Sequence, residues 1–567
     1  MTSAWLDPAE LRVGLGCMRL PADGAPETIR AAAGAGVTVF DTARAYDVNE
    51  QLLAAALRSA GAETRVRIVT KGGMARPAGA WIPDGRAKVI LADCEASLAA
   101  LDGLPIDLYL LHAPDPRTPW RTSVRALARI REEGMARRVG VCNVNRHLLD
   151  EAMELVPIEA VQVALSPFDD RPLRGGVVER CAAAGVAVIA HSPLGGPKRA
   201  VRLARNEALA ALAREVGATP AEVALAWLLG LSPVLVAIPG ARRDETARSA
   251  AAAARLRLDA EQHTAVGRAL GRDPGAAAPR PRARTAAGAD VVLVMGIPGA
   301  GKTGVAEEHV ARGYLRLNRD ERGGSLRDVA TALDEALAVG ARRVVLDNTY
   351  LSRAARSDVL AASRRHGAAV RCIWLDTPLA QAQINLVERL LDRVGALPEP
   401  DEMRGLARAD PGLMAPTSQM RTVRELEPPG DDEGFAQVER RPFARGPRPR
   451  GSRAGVFLAA AATSPKLLAQ ADPEAPHLVF DWSPSRARAA LDSAAARVAA
   501  AVGGPVEAAL CPHSAGPPRC WCRPPLPGLV LAFAREYGVD PARSVLAGTG
   551  PAHRSLAAAL GARYLEP

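Results

Sequence analysis

A chain of 567 residues is too long for one compact fold; at roughly 150 residues per domain it requires three or four globular units. Hydrophobic residues at 48% and charged residues at 24% are ordinary for a protein with packed cores, which excludes wholesale disorder. No run approaches the roughly 18 apolar residues of a membrane helix, and MTSAWLDPAELR carries acids where a signal peptide would be basic and then apolar, so the sequence reads as cytoplasmic with no membrane partner.

A net charge of +10 would suit a polyanionic partner, yet the middle of the chain is balanced and the excess lies toward its two ends. Of the 72 basic residues only five are lysines: Lys71, Lys88, Lys198, Lys302 and Lys466. In an arginine-saturated chain, a retained lysine marks a place that needs a compact, deprotonatable ammonium. Two stretches rich in Pro, Gly and Arg, 271–289 and 446–455, break the apolar periodicity and read as linkers. The expected domains are therefore 1–270, 290–445 and 456–567.

The first segment alternates short apolar runs (LRVGLG, VTVFD, VRIVTK, IDLYLLH, RRVGVCN, AVQVAL, VAVIAHS, PVLVAIP) with stretches of helical spacing. Eight strand–helix units in about 260 residues predict an α/β fold, a (β/α)₈ TIM barrel, whose chemistry sits where the strands end. Those ends carry Asp41, Lys71, His112, Cys142 with Asn143, Gln162, His191 and IPGARR, and Tyr46 lies five residues beyond Asp41. With FDTARAY, VTKGG, LLHAPD, GVCN, VQVAL and IPGARR in this order, residues 8–265 resemble the aldo-keto reductase family. The resemblance implies Tyr46 as general acid, Lys71 as the partner that lowers its pKa, Asp41 as the anchor of Lys71, and His112 as the group orienting the substrate carbonyl. It further implies NADPH as cofactor, with Asn143 and Gln162 at its nicotinamide amide and Arg242 or Arg243 at a 2′-phosphate. His191 stands where a nicotinamide-stacking aromatic is usual, and Cys142 where a serine is. A proton donor fits the chemistry, because reducing a carbonyl leaves an alkoxide and an unassisted phenol near pKa 10 donates poorly at neutral pH.

VVLVMGIPGAGKT reads as a buried strand entering a phosphate-binding loop and a helix: Gly296, Gly299 and Gly301 free the backbone amides, Lys302 meets the outer phosphates and Thr303 coordinates Mg²⁺ of a bound ATP. Asp347 closes a later apolar strand and suits a carboxylate on the metal's water shell, while Asp320 suits a base for an attacking hydroxyl. Together with TPLAQAQINLVERLLDR and RELEPPGDDEGF, these motifs resemble the kinase half of polynucleotide kinase over residues 290–443. That likeness implies a P-loop parallel-sheet kinase domain with Asp320 as general base and Arg389 and Arg393 on a lid helix, with Gln383 and Asn385 assisting closure. The acceptor is left open between a nucleic-acid 5′-hydroxyl and a small hydroxylated metabolite, because the segment is balanced in charge.

CPHSAGPPRCWC supplies Cys511, His513, Cys520 and Cys522, a full ligand set for structural Zn²⁺. The other five cysteines lack framework spacing and read as reduced thiols. The text that follows resembles the zinc-containing phosphatases of the haloacid dehalogenase superfamily, which implies a small Rossmann-like domain. Where those enzymes place two aspartates, a lysine and a metal carboxylate, this chain has Ala459, Ala461, Pro524 and Thr549, so the module is expected to lack phosphatase chemistry. The leading expectation is a bifunctional enzyme, joining NADPH-dependent reduction of a small carbonyl substrate to ATP-dependent phosphorylation of a hydroxyl. The alternatives are an end-repair kinase with the barrel as cofactor sensor, and a non-catalytic nucleotide-sensing scaffold.

Overall fold

Short runs of β-branched and aliphatic residues, apolar on both faces, form parallel strands when helices cover them. The computed structural model describes residues 5–64, 66–272, 288–443, 453–485 and 488–566. Most of both expected linkers, 273–287 and 444–452, lies outside the described residues. The chain divides into two compact units, 1–279 and 280–567.

In the first unit, β1 (Gly14–Gly16), β2 (Val39–Asp41) and β3 (Arg67–Gly72) lead into a small antiparallel hairpin of β4 (Met74–Ala75) and β5 (Ile82–Pro83). The parallel series resumes with β6 (Ile106–Leu111), β7 (Arg138–Cys142), β8 (Ala160–Ala164), β9 (Ala187–His191) and β10 (Leu235–Ile238). The eight parallel strands are neighbours in chain order, and bridges from Val13 to Ala237 and from Gly16 to Gly240 close β1 on β10. The result is the eight-stranded barrel that the alternating pattern predicts. Val39, Val69, Leu108, Ile189 and Val236 fill its lumen, and Trp5 packs beneath them with its indole N–H on Asp107 Oδ2 at 2.8 Å. The surrounding helices start on local signals: Thr219 and Glu222 form a capping box ahead of Pro220–Gly230, with proline at the first helical position.

The second unit holds two parallel sheets. The first comprises β11 (Asp290–Met295), β12 (Leu315–Leu317), β13 (Arg343–Asp347), β14 (Ala369–Asp376) and β15 (Gln437–Pro442), in the order β12-β13-β11-β14-β15. The second comprises β16 (Val456–Ala459), β17 (His477–Trp482), β18 (Val506–Cys511), β19 (Val545–Ala547) and β20 (Arg563–Leu565), in the order β18-β17-β16-β19-β20. They share apolar packing: Ile384, Leu386 and Leu390 of the Leu379–Val394 helix belong to the same hydrophobic cluster as Phe457, Leu478 and Phe533. The RELEPPGDDEGF segment is fastened from within, since buried Arg356 pairs with Glu433 at 2.6 and 2.8 Å and donates to the Glu427 carbonyl at 2.9 Å. Among the described residues, no helix is long and apolar enough to cross a membrane.

Candidate functional sites

Parallel strands in a closed barrel bring their carboxyl ends to one rim. Asp41 ends β2, Lys71 is the penultimate residue of β3, His112 follows β6, Asn143 follows β7, Gln162 lies within β8 and His191 ends β9. Lys71 is wholly buried, and its Nζ donates to Asp41 Oδ1 and to the Thr42 carbonyl, both at 2.7 Å. The other Asp41 oxygen accepts from Gln162 Nε2 at 2.7 Å, so the carboxylate is clamped from two sides. The ammonium lies 5.1 Å from the centre of the Tyr46 ring.

The electrostatics of this cluster run in opposite directions. Burial would lower the Lys71 pKa, yet Asp41 and Tyr46 hold it above the ordinary lysine value. Burial also raises the Tyr46 phenol; Lys71 pulls it down but does not win, so without ligand the hydroxyl stays above its usual range rather than below it. His112 is pushed down to about 3, first by burial and then by Lys71 and His191, and its ring is neutral at pH 7 with Nδ1 buried and unpartnered. Tyr46, His112 and Trp81 meet edge to face with centroids 5.7 to 6.1 Å apart. Asn143, at φ 56°, donates to the His112 carbonyl at 3.0 Å and faces His191 Nε2 at 3.3 Å through its own oxygen.

In the second unit, β11 runs through the glycine loop into the helix Lys302–Val310. Gly299 sits at φ 87°, where an added Cβ would lie 2.3 Å from the Ala382 carbonyl, so only glycine allows this approach of loop to helix. Asn385 Nδ2 props the same turn through the Gly299 carbonyl at 2.7 Å. Lys302 Nζ donates to the carbonyls of Gly296 at 3.1 Å and Ile297 at 3.0 Å. Burial of the ammonium, reinforced by Arg389, pushes its pKa down to about 8. A cleft of about 120 Å³ opens over the loop, walled by Lys302, Thr303, Asp320, Asp347, Asn348 and Arg389.

Two carboxylates in the cleft are differently held. Buried Asp347 accepts from Arg316 at 3.0 and 2.7 Å and from Asn318 Nδ2 at 2.9 Å. Asp320 is the second residue of the short helix Arg319–Arg322, capped by Asn318 Oδ1, which accepts from the Asp320 amide at 2.7 Å; the Asp320 carboxylate meets Arg319 at 2.9 Å. Arg389 donates to the Gly412 carbonyl at 3.2 Å. Arg393, one turn further on, pairs with Asp410 and does not line the cleft; buried Gln383 does not line it either.

Cys511, His513, Cys520 and Cys522 come together with their donor atoms all within 4.8 Å of one another. Cys511 Sγ lies 3.7 Å from Cys520 Sγ and 3.3 Å from Cys522 Sγ, and His513 Nδ1 lies 3.6 and 3.3 Å from Cys511 and Cys522. A tetrahedron with metal–sulfur bonds of about 2.3 Å has edges of about 3.8 Å, so this donor set fits zinc. The remaining imidazole nitrogen, His513 Nε2, lies 3.0 Å from Glu399 Oε2, the carboxylate–histidine arrangement that fixes a metal-binding ring.

Comparison with known proteins places the first unit. Residues 12–270 match the model of the Aldo/keto reductase family, and residues 291–402 match that of an AAA domain. A probable aldo-keto reductase 1 from Glycine max is 31% identical over 289 residues, covering 42% of this chain and 82% of the relative. The chain belongs to the aldo/keto reductase family. Aldo-keto reductase str7 of Strobilurus tenacellus is 28% identical over 269 residues, with 42% of this chain and 79% of that protein covered. Among solved structures, an aldo-keto reductase from Klebsiella pneumoniae in complex with NADPH is 26% identical, covers 46% of this chain and 92% of its own, and superposes with a TM-score of 0.41. The aldo/keto reductase part is thus joined to a P-loop, nucleotide-binding type of domain.

Within the aldo/keto reductase barrel, Asp41, Tyr46, Lys71, His112, Asn143, Gln162 and His191 form one connected cluster. Arg242 and Arg243 are exposed beyond β10, with Arg243 at the start of the helix Asp244–Arg255. Sequence reasoning did not single out Trp81, which sits on the β4–β5 hairpin, or Arg316, whose partner Asp347 is 31 residues away. The one available signal for Trp81 is that tryptophan is rare here, with 7 in the chain.

Proposed function

We propose that this protein is a bifunctional enzyme: an NADPH-dependent reductase of small aldehydes or ketones joined to an ATP- and Mg²⁺-dependent kinase that phosphorylates a hydroxyl. The sheet β16–β20 is, in this reading, a non-catalytic module built on a structural zinc ion, and the protein works in the cytoplasm. The observation that carries the reductase half is the buried Asp41–Lys71 pair set beneath the ring of Tyr46 and beside neutral His112.

When bound, the nicotinamide cofactor supplies the hydride. Tyr46 gives its hydroxyl proton to the substrate oxygen, and the Lys71 ammonium compensates the phenolate left behind. Asp41, clamped by Gln162, keeps that ammonium from turning away. His112 is neutral and retains one N–H to orient the carbonyl, with the partly exposed ring of Trp81 packed edge-on against it and offering an apolar surface to the substrate. Asn143 and His191, at the ends of β7 and β9, would hold the nicotinamide, and Arg242 or Arg243 would supply the cation for a 2′-phosphate. Replacing Tyr46 by Phe is expected to lower NADPH-dependent turnover of simple aldehydes by about 10² to 10⁴. Unchanged turnover rejects this half.

For the kinase half, the support is a glycine loop, a lysine, a threonine and two carboxylates around one cleft. Lys302 and the loop amides hold phosphate oxygens, Thr303 and Asp347 hold the metal's shell, Asp320 takes the acceptor proton and Arg389 balances charge on the nucleotide's phosphates. Labelled ATP, offered with a 5′-hydroxyl oligonucleotide and separately with small alcohols, decides the acceptor. Transfer to either, lost in Lys302→Ala, supports the reading; transfer to neither rejects it.

A further inference from the structure

The cysteine–histidine cluster and the nucleotide cleft are built onto the same stretch of chain. The Leu379–Val394 helix carries Leu386 and Arg389 into the cleft, and the following segment returns Pro411, Gly412 and Met414 to its wall. Between those two visits, the segment touches the cluster. Leu397 packs against the three cysteines, and Glu399 Oε2 reaches His513 Nε2 at 3.0 Å. Trp521, fixed between Cys520 and Cys522 and 3% exposed, donates its indole N–H to the Met414 carbonyl at 2.9 Å. Two residues back, the Gly412 carbonyl receives Arg389 at 3.2 Å.

We propose that the Cys511–His513–Cys520–Cys522 cluster, with a divalent metal bound, is a positioning device for the kinase cleft: through Trp521 and Glu399 it holds residues 397–414 so that Gly412 keeps Arg389 over the phosphates. The inference rests on the metal and nucleotide readings above and adds a coupling between them. Four thiolate and imidazole ligands fix the backbone around Trp521 once a metal joins them, because each ligand atom is then bound to a common centre. Without the metal, Trp521 is carried by a loop whose ends are free to spread, and its hydrogen bond to Met414 loses its fixed origin. Linkage then requires that nucleotide binding and metal binding favour each other by the same factor. Trp521 and Glu399 act through other residues and touch neither nucleotide nor acceptor.

The test uses the full chain and ADP with Mg²⁺ as probe. Metal analysis is expected to give one zinc per chain in the wild type and in Trp521→Phe, which keeps an aromatic side chain but loses the indole N–H together with part of the buried indole's volume. ADP affinity is expected to fall by at least about two- to tenfold in Trp521→Phe, the worth of the lost buried hydrogen bond with the lost indole packing added to it, and by a comparable factor after zinc is removed by a chelator. Glu399→Ala, read by competition with a chromophoric chelator, is expected to weaken zinc binding about tenfold. Faster amide hydrogen exchange over 397–414 in the zinc-free chain and in Trp521→Phe is the matching structural readout. Equal ADP affinity and equal exchange in zinc-loaded, zinc-free and Trp521→Phe proteins overturn the coupling while leaving both sites standing. A wild-type chain that binds no ADP rejects the nucleotide reading itself, and one that retains no zinc rejects the metal reading; either takes this proposal with it.

Discussion

Lys71 keeps its charge in surroundings made wholly of protein, and the reason is Asp41. Deleting that partner strands a buried ammonium, so Asp41→Asn is expected to cost about 3 to 5 kcal/mol in urea unfolding, far more than a surface pair would. Because the folded state holds Lys71 above the ordinary lysine pKa, the stability this pair gives is complete at neutral pH and drains only in strongly alkaline solution. His112 works on the acidic side. Its folded pKa of about 3 lies below the ordinary value, so the unfolded chain binds the proton first, and stability is lost as pH falls from about 6.5 toward 3. The slope from this one group is at most about 1.4 kcal/mol per pH unit, and His112→Gln is expected to flatten unfolding free energy over that window by that amount.

At the scale of elements, the glycine loop and the helix it leans on make a sharper prediction. Gly299→Ala puts a methyl into the Ala382 carbonyl at a positive φ, so loop and helix must part. A loss of about 2 to 3 kcal/mol in stability and at least tenfold in ADP affinity is expected, by calorimetry and titration. Gly304→Ala, inside the helix that follows and with nothing within 4 Å of an added Cβ, is expected to leave ADP affinity unchanged and to raise stability by up to about 1 kcal/mol. Such elements also show what a sequence discloses. The strand-end residues Asp41, Lys71 and His112 were legible because a strand fixes where its last side chain stands, and the motif order fixed which strands are neighbours. The loop was legible because its glycines, lysine and threonine are contiguous. Trp81 was hidden on a hairpin of two-residue strands, too short to show any periodicity. His513 was legible in its local motif, but its contact with Glu399 was hidden by 114 residues of separation, since no local pattern records that such distant positions touch.

For the whole molecule, the scarcity of lysine becomes a tool. Five amines stand against 67 guanidinium groups, so an amine-directed acylating reagent reads very few places. Lys88, Lys198 and Lys466 are exposed and should be labelled by a reagent applied near pH 8. Lys71, buried and charged, should not react in the folded protein. Lys302, with a pKa of about 8, is half deprotonated there and should react at least as fast as the exposed three, unless Mg²⁺ and ATP are present to cover it. Peptide mapping by mass spectrometry checks all five at once, and a reactive Lys71 or an ATP-indifferent Lys302 contradicts the placement of its site.

The guanidinium of Arg316 lies across both oxygens of Asp347, which gives the cleft an order of events. A lone magnesium ion arriving there must evict a cation that already neutralises the carboxylate, and so gains little. An ion delivered on a triphosphate brings its own counter-charge, and the displaced Arg316 keeps its second partner, Glu321, at 2.7 Å. Metal and nucleotide should therefore enter together, with the free ion showing almost no affinity of its own in a titration without nucleotide.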